Sequence, residues 1–388
     1  MNILMISDVY FPRINGVSTS IESFRRALVA EGHRVTLICP AYPVGDEEDP
    51  QIIRIPSRGV ISDPEDRMMH YRRILALSDE LASRQFDIVH VHTPFVAHYA
   101  GLALARRLGL PVIESYHTFF EEYLYHYLPW LPSGLMRWAA RRFSASQCNA
   151  VDALVVPSSP MQAVLTRYGV RTGMSVIPTG IALDRFRTPP VSDFRATHEI
   201  APDRPVLLFV GRAAHEKNIG FLIDIMPAIL ARHPEALLVI AGEGPAREAL
   251  ATQVRKTRLQ DSVRFVGYMR RDGQLQDAYR AADLFVFASR TETQGLVLLE
   301  AMALGTPVVS TAVMGTRDVL RDGAGCLVAE DDPRDFADKV CRLLDDPAWR
   351  ARLGDSAQAY VQDWDEREKA AQLARRYEQL IDAHDDAH

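Results

Sequence analysis

Two carboxylates, Glu292 and Glu300, and two cations, Arg212 and Lys217, are the residues of this 388-residue chain whose spacing most directly suggests chemistry. The glutamates stand in the run Thr291-Glu-Thr-Gln-Gly-Leu-Val-Leu-Leu-Glu300-Ala-Met-Ala-Leu-Gly305. The pattern predicts a helix from about residue 294, ending at Gly305, a residue suited to the left-handed turn that closes a helix. Eight helical steps of 1.5 Å span about 12 Å, the length of a nucleotide sugar from hexose to ribose. Glu292 is then placed to hold sugar hydroxyls and Glu300 both ribose hydroxyls, because a carboxylate accepts two hydrogen bonds at once. The amides of Thr293 to Leu296, Gly295 among them, lie between the two, where a helix start favours a phosphate. The plainer alternative is a helix with one capping and one surface glutamate. Against it, Glu300 sits among Leu298, Leu299, Ala301 and Met302.

The cations follow an apolar run in Gly211-Arg212-Ala-Ala-His-Glu-Lys217-Asn218. Arginine offers a fork to phosphate oxygens and lysine a compact point charge. A leaving diphosphate gains charge as its bond breaks, and two fixed cations stabilise that charge without a metal. The chain has only four lysines, Lys217, Lys256, Lys339 and Lys369, so the choice of lysine at 217 is a hint of function. Near the N-terminus, Asn15-Gly16-Val-Ser-Thr19 reads as a turn into a helix. Gly16 lets backbone approach a ligand, and Ser18 or Thr19 is expected to cap the helix. His117, in Ser115-Tyr-His-Thr118, ends another apolar run and suits a hydrogen bond to a sugar hydroxyl. His90 and His92 read as structural turn residues with no third metal ligand beside them. Ala241-Gly-Glu-Gly-Pro245 and Val266-Gly-Tyr-Met269 are weaker signals of a nucleotide pocket. GxGxxG is absent, which argues against a dehydrogenase. The single DxD, Asp363-Trp-Asp365, follows no core strand, so a manganese-type sugar-nucleotide site is not supported.

These residues need elements to hold them. Short apolar runs at Asn2–Ile6, Arg34–Cys39, Asp87–Val91, Pro111–Ser115 and Ala153–Val156 alternate with helical patterns. The alternation restarts with Val206–Val210, Leu237–Ala241, Val263–Val266, Leu284–Phe287 and Pro307–Ser310. Continuous apolar strands between amphipathic helices imply parallel sheets covered on both faces. The expected fold is therefore α/β, with two Rossmann-like domains facing across a cleft and ligands beyond the carboxyl ends of the strands. The expected domains are residues 1–186 for the acceptor and 187–364 for the nucleotide-sugar donor, with 187–205 as linker. A last helix over 365–388, with Ala370, Leu373, Ala374, Tyr377 and Leu380 on one face, is expected to pack on the N-terminal domain. Two domains suit this length. The net charge of -6 offers no field for nucleic acid. The N-terminus does not read as a signal peptide, no run is long enough to span a membrane, and Cys39, Cys148, Cys326 and Cys341 suit buried thiols in a reducing cytosol.

At Gly16, His117, Arg212 with Lys217, and Glu292 with Glu300, the chain resembles the family 4 glycosyltransferases of the GT-B fold. GR-x4-K, then E-x7-E leading into LEAMALGTPVV, are in the family's order. The resemblance implies retaining, metal-independent transfer of a hexose from a nucleoside-diphosphate sugar, with front-face attack assisted by the leaving phosphate. It implies His117, Arg212, Lys217 and Glu292 as catalytic residues. Donor contacts would come from Gly16, Arg212, Lys217, Glu292, Thr293, Gly295, Leu296 and Glu300, with no metal and no cofactor. Gly16 would bind phosphate by its amide and His117 the sugar near its 6-position. Many relatives carry Gly-Gly where this chain has Asn15-Gly16. Asn-Gly-Val and Tyr-His-Thr followed by aromatics are similar to the subgroup that builds glycolipids from diacylglycerol.

The favoured expectation is glucosyl transfer from a UDP-sugar to a lipid, lipid-linked or glycan acceptor. Mannosyl transfer from GDP-mannose, a sugar-nucleotide epimerase and a non-enzymatic nucleotide-sugar sensor are the alternatives. The segment 119–143 is rich in aromatics and arginine. It fits either peripheral contact with the inner face of the membrane from the cytoplasm or a core helix with a solvated arginine face.

Overall fold

In a computed structural model the structure is described for residues 1–43, 49–60, 63–117 and 133–386. They form two compact units, Met1–Gly180 with Glu366–His388, and Ile181–Asp365.

The strands of the first unit are β1 (Asn2–Ile6), β2 (Arg34–Pro40), β3 (Ile52–Ile55), β4 (Ser57–Val60), β5 (Asp63–Met69), β6 (Ile88–Val91), β7 (Val112–Ser115), β8 (Ala153–Val156) and β9 (Met174–Val176). Seven make a parallel sheet in the order β3-β2-β1-β6-β7-β8-β9, and β4 and β5 form a separate antiparallel hairpin. Strands β1, β6, β7 and β8 are buried along their whole length, as a sheet covered on both faces requires. Helix Val96–Leu108 lies close on β6 because Gly101 has no Cβ; one built there would fall 2.5 Å from Val91 Cγ2. Helix Glu366–Asp385 buries Ala370, Leu373, Ala374, Tyr377 and Leu380 in the same core as Ile21, Phe24 and Leu28 of helix Gly16–Ala30. The Glu366 carboxylate is held by Arg26 and Ser23 from that helix.

The second unit contains β10 (Val206–Val210), β11 (Leu237–Ala241), β12 (Val263–Gly267), β13 (Leu284–Phe287), β14 (Val308–Thr311) and β15 (Cys326–Ala329), all parallel, in the order β12-β11-β10-β13-β14-β15. Ile181 and Leu183 already belong to its core, so this unit begins at 181 rather than 187. The stretch 187–205 is not a free linker. Buried Asp277 accepts from the Val191 and Ser192 amides at 3.1 and 2.7 Å, and Arg195 pairs with Asp283 at 3.1 Å. Its Pro-rich, polar composition hid this, because the residues that tie it down lie more than 80 positions away.

In each sheet the chain starts in the middle, moves to one edge and then crosses to the other side. The reversal falls between β1 and β6 in one unit and between β10 and β13 in the other. The carboxyl ends of these strands are the switch points where doubly wound sheets bind ligands. The turns carrying Gly16, His92, Arg212 and Glu292 follow those four strands, and His117 follows β7.

Candidate active site

The second unit holds the most developed constellation. After β10 the chain runs through Gly211 and Arg212 into a single 3-10 turn, His215–Lys217, and then a left-handed Asn218. Asn218 Nδ2 donates to the Ala288 carbonyl at 3.1 Å, just beyond β13, and fixes the turn against the neighbouring strand. From there Lys217 Nζ donates to Glu292 Oε1 at 2.5 Å. The side chains are 22% and 15% exposed, so the pair is half-buried and still reachable from solvent. The expected diphosphate cation and sugar carboxylate thus pair with each other. Arg212 is exposed on the same turn.

Glycines set this arrangement from beneath. A Cβ on Gly242 would sit 1.9 Å from the Gly211 carbonyl, and one on Gly244 would sit 2.5 Å from that of Ala213. The Ala213 amide donates to Glu243 O at 2.9 Å and the Ala246 amide to Ala213 O at 2.8 Å. The Ala241–Pro245 turn is therefore a brace under the Arg212 turn. Gly315 performs the same service for Glu292: its amide donates to Glu292 O at 2.9 Å, and a Cβ there would lie 1.9 Å from Thr293 O.

The helix after β13 is Leu296–Ala303, later than the sequence predicts. Gly295 precedes it with φ of 100°, a left-handed conformation that costs glycine little. Thr293 and Gln294 belong to the loop, so the separation of Glu292 and Glu300 is not the simple rise of one helix. The amides of Leu296 and Val297 open the helix, where intrahelical bonding leaves donors unmet. Glu300 is 2% exposed. Its Oε1 accepts from Arg271 Nη1 at 2.7 Å and its Oε2 from the Tyr279 hydroxyl at 3.0 Å. Each carboxylate oxygen keeps a second lone pair, so two more hydrogen bonds remain available. The charge of Glu300 raises the Arg271 pKa, and burial followed by that same charge pushes the Tyr279 phenol well up.

In the first unit Gly16 is the first helical residue, and Asn15 is the cap. Asn15 Oδ1 accepts from the Ser18 amide at 2.9 Å, while Ser18 Oγ accepts from the Asn15 amide at 3.0 Å. The sequence expectation of a Ser18 or Thr19 cap is corrected, because the reciprocal pair satisfies both ends of the first turn. A Cβ on Gly16 would meet nothing within 4 Å, so packing does not demand glycine there. His117 stands two residues beyond β7, half-buried, with Nε2 3.2 Å from His92 Nδ1. Burial lowers its pKa to about 4. His90 and His92 are more than turn residues. His90 bridges the Tyr377 hydroxyl at 2.6 Å and Ser115 Oγ at 2.8 Å, and its ring lies 3.9 Å from that of His92. Burial, then the neighbouring His117, lowers the His90 pKa to about 3; burial, then His90 and His117, holds that of His92 well below its usual range. Beside them Asp8, pushed up to about 6 by burial against the bonds it accepts from Ala97 and Thr93, caps helix Val96–Leu108.

Sequence reasoning missed Arg271, Tyr279, Gly315 and the contact of His92 with His117. Arg271 stands two residues beyond a turn already suspected of facing a nucleotide, and His92 ends a strand of the sheet that carries His117. Position alone did not join either pair. Of the 119–143 segment, residues 119–132 lie outside the described residues. In helix Ser133–Cys148, Arg137, Trp138, Arg141 and Arg142 are exposed, while Met136 and Ala140 are buried. Among the described residues no helix is long and apolar enough to cross a membrane. All four cysteines are buried thiols.

Comparison with known proteins gives a consistent picture. Residues 14–185 match "Glycosyltransferase Family 4" and residues 191–360 match "Glycosyl transferases group 1". The alpha-monoglucosyldiacylglycerol synthase of Streptococcus pneumoniae is 35% identical over 319 residues, covering 80% of this chain and 71% of that protein. The sucrose-phosphate synthase of Thermosynechococcus elongatus superposes with a TM-score of 0.79 at 25% identity, covering 98% of this chain and 99% of that one. Anabaena HepE, solved in complex with UDP-glucose, superposes with a TM-score of 0.77 at 18% identity, covering 98% and 100%.

Proposed function

The chain belongs to the family 4 glycosyltransferases, with the GT-B fold, and we propose that it transfers glucose, with retention and without a divalent ion, from a UDP-sugar to a diacylglycerol-type lipid. The observation that carries the reading is the Lys217–Glu292 pair at the switch point of the second sheet, with buried Glu300 one helix further on. A diphosphate arriving there offers Lys217 a more highly charged partner than one carboxylate. Lys217 turns to the phosphates and Glu292 is released to accept from sugar hydroxyls. Arg212 adds a second cation, and the Leu296 and Val297 amides add oriented dipoles. Glu300, held by Arg271 and Tyr279, receives the ribose diol on its two remaining lone pairs.

As the bond from the anomeric carbon to the β-phosphate oxygen lengthens, negative charge collects on that oxygen, and the cations stabilise it. The acceptor hydroxyl attacks the same face that the phosphate leaves. Its oxygen bonds to the anomeric carbon and its proton passes to the departing phosphate. The family resemblance assigns the Gly16 amide to a phosphate and His117 to a sugar hydroxyl. The uridine base follows the resemblance and the HepE complex, and the lipid acceptor and glucose follow the name of the pneumococcal relative.

A panel of UDP-, GDP- and ADP-sugars tested by thermal shift, followed by turnover with diacylglycerol vesicles in excess EDTA, examines each element. The expected result is a shift with UDP-glucose and an α-glucosyl lipid formed in chelator. A preference for GDP-mannose, loss of activity in EDTA, or a β-linked product would each overturn the corresponding part.

A further inference from the structure

The switch point of the first sheet carries imidazoles in contact, and their hydrogen-bond logic has one consistent solution. His92 is 1% exposed. Its Nδ1 lies 3.2 Å from His117 Nε2, with the two rings stacked at 15°. Its other nitrogen, Nε2, is buried and has no hydrogen-bond partner among the described residues. A neutral imidazole has one N–H and one bare nitrogen. If His117 donated from Nε2, the proton of His92 would have to sit on Nε2, as a buried donor with nothing to receive it. If His92 donates from Nδ1, its Nε2 is a bare lone pair instead. Orphaned buried N–H groups are the rarer and costlier outcome.

We propose that His92 is a positioning residue that fixes the tautomer of His117: its Nδ1–H donates to His117 Nε2, so that His117 carries its proton on Nδ1 and presents it as a hydrogen-bond donor to the substrate. The burial that keeps both rings neutral sustains this arrangement, because a neutral ring alone has a tautomer to choose. The His90 ring, tilted 35° from that of His92 at 3.9 Å and locked by Tyr377 on helix Glu366–Asp385 and by Ser115, backs His92. The role of the donated proton rests on the reading of His117 as a sugar contact, whereas the tautomer itself does not.

Two measurements separate these. In the full-length protein labelled with nitrogen-15 histidine, two-bond nitrogen–proton correlations report the tautomer of His117 directly. The expected result is a proton on Nδ1 and a bare Nε2; a proton on His117 Nε2 overturns the proposal whatever the activity. For the role, His92→Phe keeps the stack but removes the donor, and His92→Asn places an amide donor near the lost Nδ1. His92→Phe is expected to lower kcat about tenfold with little change in KM, as loss of one oriented neutral hydrogen bond would, and His92→Asn to recover most of it. Equal kcat in wild type and His92→Phe overturns the positioning role. If the protein shows the expected His117 tautomer but His117→Ala turns over unaffected, the sugar contact alone is overturned.

Discussion

The histidines buried under helix Glu366–Asp385 should make the first unit lose stability in mild acid. In the unfolded chain a histidine titrates near 6.5, whereas His90 in the folded protein is held near 3 and His92 also far below its usual value. A lowered folded pKa means that stability is fully present above the unfolded pKa and falls as pH drops toward the folded one. At pH 5.5 each ring costs about 1 kcal/mol and little at pH 7, so the two together remove roughly 2 to 3 kcal/mol over that interval. Asp8 works the other way. Its folded pKa of about 6 lies above the usual carboxylate value, so it takes up a proton in the folded state and returns up to about 1 kcal/mol. The net loss is on the order of 1 to 2 kcal/mol, and His117, whose pKa burial also lowers, adds to it in the same direction. Urea denaturation at pH 7.0 and 5.5, read by hydrogen exchange at residues 88–92, measures this in the first unit alone. His90→Gln should be less stable at pH 7 but should recover about 1 kcal/mol of the pH-dependent loss. A stability that stayed level or rose between pH 7 and 5.5 would refute the reasoning.

Other perturbations test the second unit and the ligand contacts. Lys217→Ala and Glu300→Ala should each reduce turnover at least about a hundredfold, the scale of losing a charged transition-state contact; steady-state kinetics with near-normal kcat would remove the residue from its role. Gly16→Ala meets open space, so the melting temperature should hold while the donor KM rises as the methyl crowds the phosphate; unchanged KM argues that nothing binds at that amide. Gly315→Ala would press on the Thr293 carbonyl and should cost about 1–3 kcal/mol together with much of the activity; a fully active, equally stable variant would show that the Glu292 loop does not depend on it. Sedimentation with anionic vesicles at low salt should carry the protein down through the arginine- and aromatic-rich segment 119–143, and a protein left in the supernatant would exclude that contact.

Much of the second unit could be read in advance because its signals are local. β10, β11 and β13 fall where continuous apolar runs demand buried strands, and each expected cation or carboxylate follows such a run. The short strands β3, β9 and β15 were not anticipated. Their few residues carry no decisive period, and pairing with a neighbour alone makes them strands. The helix start at Leu296 was placed two residues too early, since a left-handed glycine ahead of a helix looks like part of it in sequence.

By itself the sequence determined where strands end and which charged or polar residues stand at those ends, because burial of apolar runs and glycine turns are properties of a few neighbouring residues. Only the tertiary structure decided what those residues touch. Lys217 and Glu292 are 75 positions apart, His92 and His117 are 25, and His90 and Tyr377 are 287. The first two contacts exist because parallel strands place the ends of distant segments side by side, and the third because the last helix packs on the first sheet; no local preference in the chain encodes that distance.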